Sequence, residues 1–95
     1  MLNQAKLVMK MKKLQKELSN EIIEVEAGDG AVVVRINGEQ KIKKITIDSE
    51  QVDLDDIGEL EGWIETGVKE AINRSQQVAA EKMRPVMGQL GNLGL

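Results

Sequence analysis

The spacing of apolar residues changes twice along the chain, and this change constrains the fold more than any other feature. Near the N-terminus, and again after residue 57, apolar residues recur every three or four positions, which is typical of an amphipathic helix. Between these regions, three short segments alternate apolar and polar residues, as half-buried strands do. The order predicts an α+β domain, α-β-β-β-α, with a three-stranded antiparallel meander and two long helices.

The predicted elements lie in one domain, residues 1–87, and residues 88–95 are expected to form a flexible, glycine-containing tail. Asn37-Gly38 predicts a type I′ turn, because both residues tolerate a positive φ. Ile42 breaks the alternation of the third strand, so either the strand begins with a bulge or Ile42 lies in the turn. The predicted helices span residues 3–20 and 54–84, and the predicted strands span residues 22–28, 31–37 and 40–47.

The residue types exclude most catalytic chemistry. The chain contains no His and no Cys, so it lacks the commonest general base, the strongest nucleophile and the imidazole and thiolate metal ligands. Asp53 and Asp55 are spaced as in a calcium loop, but Ile57 and Ile64 stand where that loop needs oxygen ligands. Asp53, Asp55 and Asp56 lie before or in the first turn of the second helix and are therefore expected to cap it. We predict no catalytic residue, no metal and no cofactor, and hence no enzyme.

Charge is strongly segregated along the chain, although the net charge is only -3. Residues 1–20 carry five Lys and one Glu, whereas residues 48–62 carry seven acidic residues and no basic one. Lys6, Lys10 and Lys13 fall within about 60° of one another on a helix and form a lysine ridge. Such a ridge either binds a polyanion or is simply solvated. The candidate residues for contacts with a polyanion are Lys6, Lys10, Lys12, Lys13, Lys16, Arg35, Lys41, Lys43 and Lys44.

The first helix also carries a narrow apolar stripe of the kind that packs against one other helix. That helix is either the second helix of the same chain or the first helix of a second copy. The single aromatic residue, Trp63, is a candidate for an interface or for the core. Because so small an aliphatic chain has little interior of its own, a homodimer is expected. The candidate dimer-interface residues are Leu7, Met11, Leu14, Leu18 and Trp63.

The order of these segments resembles the YbaB/EbfC family of bacterial nucleoid-associated proteins over nearly the whole chain. The resemblance implies a homodimer whose protruding helices bind double-stranded DNA with little sequence preference. It also implies a location in the cytoplasmic nucleoid and an effect on nucleoid organisation or gene expression. The segments that carry it are the Lys- and Met-rich first helix, Gly28-Asp29-Gly30, Ile36-Asn37-Gly38, Ile45-Thr46-Ile47-Asp48, the acidic stretch 53–61 and Glu81-Lys82-Met83.

Two other classes of function are open from the residues alone. A protein-interaction adaptor would use the N-terminal amphipathic helix and the leucines of the tail, Leu90, Leu93 and Leu95. A membrane-surface protein would use the same basic helix. The longest apolar run, residues 31–34, is far shorter than the roughly 20 residues of a membrane span, so no segment is expected to cross a membrane. Because double-stranded DNA is the leading candidate, the expected partners are DNA and a second copy, with no membrane partner. A pI of about 5.0 predicts DNA binding that is confined to the lysines and weakened by salt.

Overall fold

A computed structural model describes residues 3–92 and confirms the predicted order of elements. The three strands form one antiparallel sheet in the order β1-β2-β3, so the meander is also confirmed. The first helix has the predicted bounds, and the strands are one or two residues shorter than expected. The elements are α1 (Asn3–Asn20), β1 (Ile22–Ala27), β2 (Val32–Asn37), β3 (Ile42–Ile47) and α2 (Ile57–Asn92).

Helix α2 differs from the prediction at both ends. It begins after Asp56, whose Oδ1 accepts a hydrogen bond of 3.2 Å from the backbone N–H of Glu59 and so caps the helix. It continues through Pro85, although a proline inside a helix removes one backbone hydrogen bond and crowds the preceding turn. The neighbouring Val86 is buried against α1. Residues 88–92, expected in a flexible tail, are therefore helical, and residues 93–95 of that tail lie outside the described residues.

Of the two alternatives given above for Ile42, the structure shows the bulge, which lies at Lys43. Arg35 of β2 lies opposite Lys44, whereas the next residue of β2, Ile36, lies opposite Ile42. Lys43 is therefore the extra residue on β3. Because side chains alternate between the two faces of a strand, the extra residue returns Ile42 to the sheet face of Ile36, which is buried.

The turn between β2 and β3 is not the predicted type I′ turn. The positive φ falls on Gln40, at 62°, and not on Asn37 or Gly38. The buried Asn37 side chain stabilises the turn instead, since its Oδ1 accepts hydrogen bonds from the backbone N–H groups of Glu39 (2.9 Å) and Lys41 (3.0 Å). The asparagine thus acts through its amide group rather than through its backbone conformation.

Gly38 is required for a close approach of the hairpin to α1. Its backbone N–H donates a hydrogen bond of 2.8 Å to the carbonyl oxygen of Leu18, near the end of that helix. A Cβ on Gly38 would lie 3.0 Å from the same oxygen and 2.8 Å from a methyl carbon of the leucine side chain. The β2–β3 turn is therefore fixed to the C-terminal end of α1.

Two apolar clusters follow each other along α2. The first half of the helix covers one face of β1 and β2, and the second half packs against α1. The molecule is consequently elongated, with extents of 64 × 19 × 15 Å. Its radius of gyration is 18.1 Å, whereas a compact domain of this length has one of about 12 Å. The buried members are Val25, Val32, Val34, Ile36 and Ala71 in the first cluster, and Leu14, Leu18 and Val86 in the second.

Candidate nucleic-acid interface

The five lysines of α1 are all exposed, while Leu14 and Leu18 pack against α2. Lys6, Lys10 and Lys13 lie about 100° around the helix from this apolar stripe. The helical rise distributes the lysines, from Lys6 to Lys16, over about 15 Å. Within residues 4–88, no carboxylate oxygen forms an ion pair with any of their Nζ atoms. The lysine ridge, Lys6, Lys10 and Lys13, and the two lysines behind it, Lys12 and Lys16, therefore carry positive charge that no carboxylate neutralises in the part of the chain that the structure describes.

A cleft of about 270 Å³ opens beside the lysine ridge, between α1 and the end of α2. Two lysines and one glutamate share its wall, so its formal charge is positive. Ammonium groups at the mouth of a cleft are suited to an anionic group such as a phosphate. The lining residues are Lys10, Lys13, Leu14, Glu17, Pro85 and Val86.

An ion pair connects the end of α1 to α2. The Nζ of Lys82 lies 2.7 Å from Oε2 of Glu21. This hydrogen bond raises the pKa of Lys82 above its ordinary value of 10.5, and the charges of Glu21 and Glu17 act in the same direction. Lys82 is therefore neutralised within the chain and does not extend the lysine ridge. No sequence spacing indicates the pair, because its partners belong to opposite ends of the chain.

The basic residues of the sheet form a second, separate group. Arg35 donates a hydrogen bond from Nε to Oε2 of Glu24, at 2.9 Å, so its charge is paired. Lys44 lies opposite Arg35 on the sheet face away from α2. Lys43 is the bulge residue and Lys41 ends the turn that docks on α1. The structure thus places these three exposed lysines beyond the C-terminal end of α1, not beside its N-terminal half.

Four of the five candidate dimer-interface residues contact their own chain. Leu7, Leu14 and Leu18 belong to the cluster between α1 and α2, and Trp63 packs against the cluster on the sheet. Met11 is 39% exposed. The stripe of α1 therefore packs against the second helix of its own chain, which is one of the two alternatives considered above. The role of these residues in a dimer stays a prediction.

The acidic segment begins at the end of the sheet that is remote from the β2–β3 turn. The backbone N–H of Asp48 donates to the carbonyl oxygen of Ala31, at 2.8 Å, where β3 ends beside the start of β2. Asp53 accepts a hydrogen bond of 2.9 Å from the Asp55 backbone N–H, and Asp56 caps α2. Asp56 therefore caps α2 as expected, whereas Asp53 stabilises the turn before the helix instead of capping it. The molecule has a basic end and an acidic end.

Neither a metal site nor a membrane span is found in the part of the chain that the structure describes. No group of three or more Asp or Glu residues within it is arranged to hold a metal ion. None of its helices combines the length and the apolar character needed to cross a membrane. Within these residues, no buried side-chain nitrogen or oxygen lacks a hydrogen-bond partner.

Known proteins resemble this chain over almost its whole length. The family model of the YbaB/EbfC DNA-binding family matches residues 1–90. A nucleoid-associated protein of Chloroflexus aurantiacus is 40% identical over 83 residues, which cover 87% of this chain and 83% of the relative. A nucleoid-associated protein of Ruminiclostridium cellulolyticum is 38% identical over 94 residues, which cover 98% of this chain and 82% of the relative.

A solved structure has the same fold. The crystal structure of an uncharacterised protein from Helicobacter pylori matches with a TM-score of 0.69 and 16% sequence identity, over 81% of this chain and 89% of that one. At this identity the similarity shows the fold alone. The family match and the relatives show more, because proteins of this kind bind DNA and are not enzymes, as predicted for this chain. The chain belongs to the YbaB/EbfC DNA-binding family.

Proposed function

We propose that this protein is a nucleoid-associated protein that binds double-stranded DNA as a homodimer through its lysine-rich surfaces. The observation that carries the proposal is the lysine ridge of α1, whose charges have no carboxylate partner among the described side chains. Family membership supports DNA as the partner, and the names of the relatives support a place in the nucleoid. Binding there would affect nucleoid organisation or gene expression.

The composition of the lysine ridge favours binding with little sequence preference. Lysine ammonium groups contact phosphates as point charges, and phosphate contacts carry no direct sequence information. The α1 helix contains no Arg and no aromatic residue that would read or stack on a base. The one aromatic side chain, Trp63, is packed against the sheet cluster. The described surface is thus suited to the duplex backbone rather than to a particular sequence.

A homodimer would compensate for the acidic net charge of each copy. One elongated chain offers one lysine ridge, and its acidic segment repels DNA from the other end of the molecule. Two joined copies offer two ridges to the same duplex. Once the first ridge is bound, binding of the second is intramolecular and strengthens the complex without new kinds of contact. The proposed affinity therefore depends on dimer formation.

The test is fluorescence anisotropy of a labelled duplex, titrated at two salt concentrations, with the oligomeric state measured by sedimentation. The combined substitution Lys6→Glu, Lys10→Glu and Lys13→Glu is expected to abolish binding, because it reverses three charges in each copy. The control changes Lys69→Glu and Arg74→Glu on α2, where both cations are already paired with Glu65 and Glu70.

Unchanged DNA binding by the folded triple variant would contradict the proposed site. Absence of binding by the unmodified protein even at low salt would contradict the proposed function itself. That second result would favour the protein-interaction adaptor, in which α1 binds another protein. Circular dichroism establishes that each variant is folded before its binding is compared.

A further inference from the structure

Met9 is the most exposed large apolar side chain of the two helices in the part of the chain that the structure describes. It keeps 70% of its surface exposed, compared with 58% for Met87 on α2. A single exposed apolar residue is common on protein surfaces and needs no explanation by itself. The position of Met9 is informative, however, because basic side chains surround it on α1.

Met9 lies between the lysine ridge and the two lysines behind it. On a helix with 100° per residue, Lys6 and Lys13 lie about 60° and 40° from Met9 on one side. Lys12 and Lys16 lie about 60° and 20° from it on the other side. Along the helix axis, Lys6 precedes Met9 by about 4.5 Å and Lys13 follows it by about 6 Å. The methionine is therefore at the centre of the basic surface of α1.

We propose that Met9 inserts into the minor groove of bound DNA and opens a base step, so that the protein bends the duplex. This inference rests on the proposed function and adds a deformation of DNA to it. The two sets of lysines are about 90° apart on a helix about 10–12 Å across, so they are separated by roughly 8 Å. The minor groove is about 6 Å wide. Each set of ammonium groups can thus reach one of its two phosphate backbones, and the methionine between them faces the bases.

Methionine is chemically suited to this role. Apolar side chains that enter the minor groove partly unstack a base step and kink the duplex by about 20–90°. The methionine side chain is long, unbranched and flexible, so it adapts to an irregular apolar space such as an opened step. It forms no hydrogen bond with a base edge, so its insertion adds no direct readout of the sequence. Steps that unstack easily, such as a pyrimidine followed by a purine, are the expected sites of insertion.

A membrane surface is a poorer partner for the same side chain. A helix that lies in a membrane interface buries a broad apolar face among the lipids. The apolar stripe of α1 is already packed against α2 through Leu14 and Leu18. One methionine among five lysines offers little apolar area to acyl chains, whereas one side chain is what a single base step accommodates.

Cyclisation of short DNA tests the bending. Fragments of about 100 base pairs are shorter than the persistence length of about 150 base pairs, so ligase closes few of them into circles unaided. Saturating unmodified protein is expected to raise the yield of monomeric circles about fivefold or more. Met9→Ala is expected to lose this gain, whereas Met9→Leu, which keeps a long apolar side chain, is expected to retain it. Met87→Ala removes an exposed methionine from α2 and is the matched control, expected to behave like the unmodified protein.

A mismatched base pair tests the insertion itself. A mismatch weakens pairing and stacking, so less free energy is needed to open the step. In fluorescence anisotropy, the unmodified protein is expected to bind a duplex with one mismatch about tenfold more tightly than the intact duplex. Met9→Ala is expected to bind the two duplexes with equal affinity. Because Met9 is exposed, the substitution removes no core contact, and circular dichroism verifies that the variant is folded.

The possible failures are distinguishable. Absence of DNA binding by the unmodified protein at low salt would overturn the proposed function, and this inference with it. Binding without a gain in circles and without a preference for the mismatch would overturn only the insertion. A Met9→Ala variant that still bends DNA and still prefers the mismatch would also overturn it. If Met9→Ala instead loses binding to phosphatidylglycerol vesicles and keeps every property on DNA, Met9 serves a membrane surface and the inference is wrong.

Discussion

Gly28 lies so close to the indole ring of Trp63 that a Cβ on the glycine would be 2.4 Å from Cδ2 of the ring. The glycine also has a φ of 62°, in the left-handed region that residues with a Cβ rarely adopt. Two independent constraints therefore select glycine at this position. Through this contact the β1–β2 turn is docked on α2 by the only aromatic side chain of the protein.

Alanine substitutions at Gly28 and at Gly30 distinguish the cost of the positive φ from the cost of the contact with the Trp63 ring. Gly28→Ala is expected to cost about 1 kcal/mol for the positive φ and about 1–3 kcal/mol more for the collision with the ring. Gly30→Ala is the matched control, since Gly30 has a φ of 89° but has only a glutamate oxygen, at 3.8 Å, near its Cβ position. Urea unfolding followed by Trp63 fluorescence measures both. Equal costs would show that the ring contact is unimportant.

Two glycines inside α2 are expected to respond in opposite ways to alanine. A Cβ on Gly62 meets nothing within 4 Å, so Gly62→Ala is expected to stabilise the protein by about 0.5–1 kcal/mol through helix propensity. A Cβ on Gly67 would be 3.1 Å from a methyl carbon of Val34, so Gly67→Ala is expected to gain nothing or to lose stability. The midpoints of thermal unfolding of the two variants test this difference. Equal stabilisation by both substitutions would contradict the close packing at Gly67.

The types and order of the elements were predictable, because the helical and strand periods of apolar residues differ so clearly. The end of α2 was not predictable, because proline is in general unfavourable inside a helix, whereas α2 continues through Pro85 with the neighbouring Val86 buried against α1. The type of the β2–β3 turn was not predictable either. Asn37 is required there for its side-chain hydrogen bonds, and Gly38 for its close contact with α1. The sequence Asn-Gly looks the same whether it serves these purposes or supplies a positive φ.

The fully buried Ser75 connects α2 to the β2–β3 turn. Its Oγ donates a hydrogen bond of 2.6 Å to the carbonyl oxygen of Asn37 and accepts two, each of 3.1 Å, from the backbone N–H and the side-chain Nε2 of Gln40. Ser75→Ala leaves buried polar groups without a partner and is expected to cost about 1–3 kcal/mol. Asn73→Ala, exposed on the same helix, is the control and is expected to be nearly neutral. Denaturant unfolding compares them, and a neutral Ser75→Ala would contradict the role of the hydroxyl.

The carboxyl group of Asp48, directly after β3, is expected to make the stability of the protein depend on pH. Hydrogen bonds from the Gln51 side chain and from the Glu50 backbone N–H lower the pKa of its carboxyl below the ordinary value of 3.8. A group whose pKa is lowered by folding contributes its stability above the unfolded value, and this contribution is lost as the pH falls through the folded value. The turn is therefore expected to loosen below about pH 3.8.

Carbon NMR titration of the Asp48 carboxyl measures this shift directly. Asp48→Asn removes the titrating group, so the variant is expected to lose less stability than the unmodified protein between neutral pH and strong acid. Asp53→Asn serves as the comparison variant, because the Asp53 carboxyl also accepts a hydrogen bond from a backbone N–H, in the next turn. An ordinary midpoint for Asp48 would contradict the role of its two hydrogen bonds.

The lysines were predictable as a ridge because a helix has a fixed angular spacing, but their freedom from partners was not. Glu17, the one acidic residue of α1, was the obvious candidate to neutralise a lysine of its own helix. In the structure its charge instead acts on Lys82 of α2, together with Glu21. Such long-range pairing leaves no trace in local spacing. The exposure of Ile42, Ile45 and Ile47 on β3 was equally hidden, because apolar residues on a strand predict burial and no local pattern shows that the buried cluster beneath α2 consists of residues from β1 and β2.

The salt dependence of DNA binding counts the lysines that contact phosphates. If a dimer places roughly six lysines on the duplex, the slope of log K against log salt is expected to be about -5. Lys13→Gln removes one contact from each copy and is expected to reduce the magnitude of the slope by about 2. The matched control is Lys69→Gln, since the Nζ of Lys69 already lies 2.6 Å from Oε1 of Glu65. Equal slopes for Lys13→Gln and the unmodified dimer would remove Lys13 from the site, and a slope near zero would show that binding does not depend on phosphate contacts.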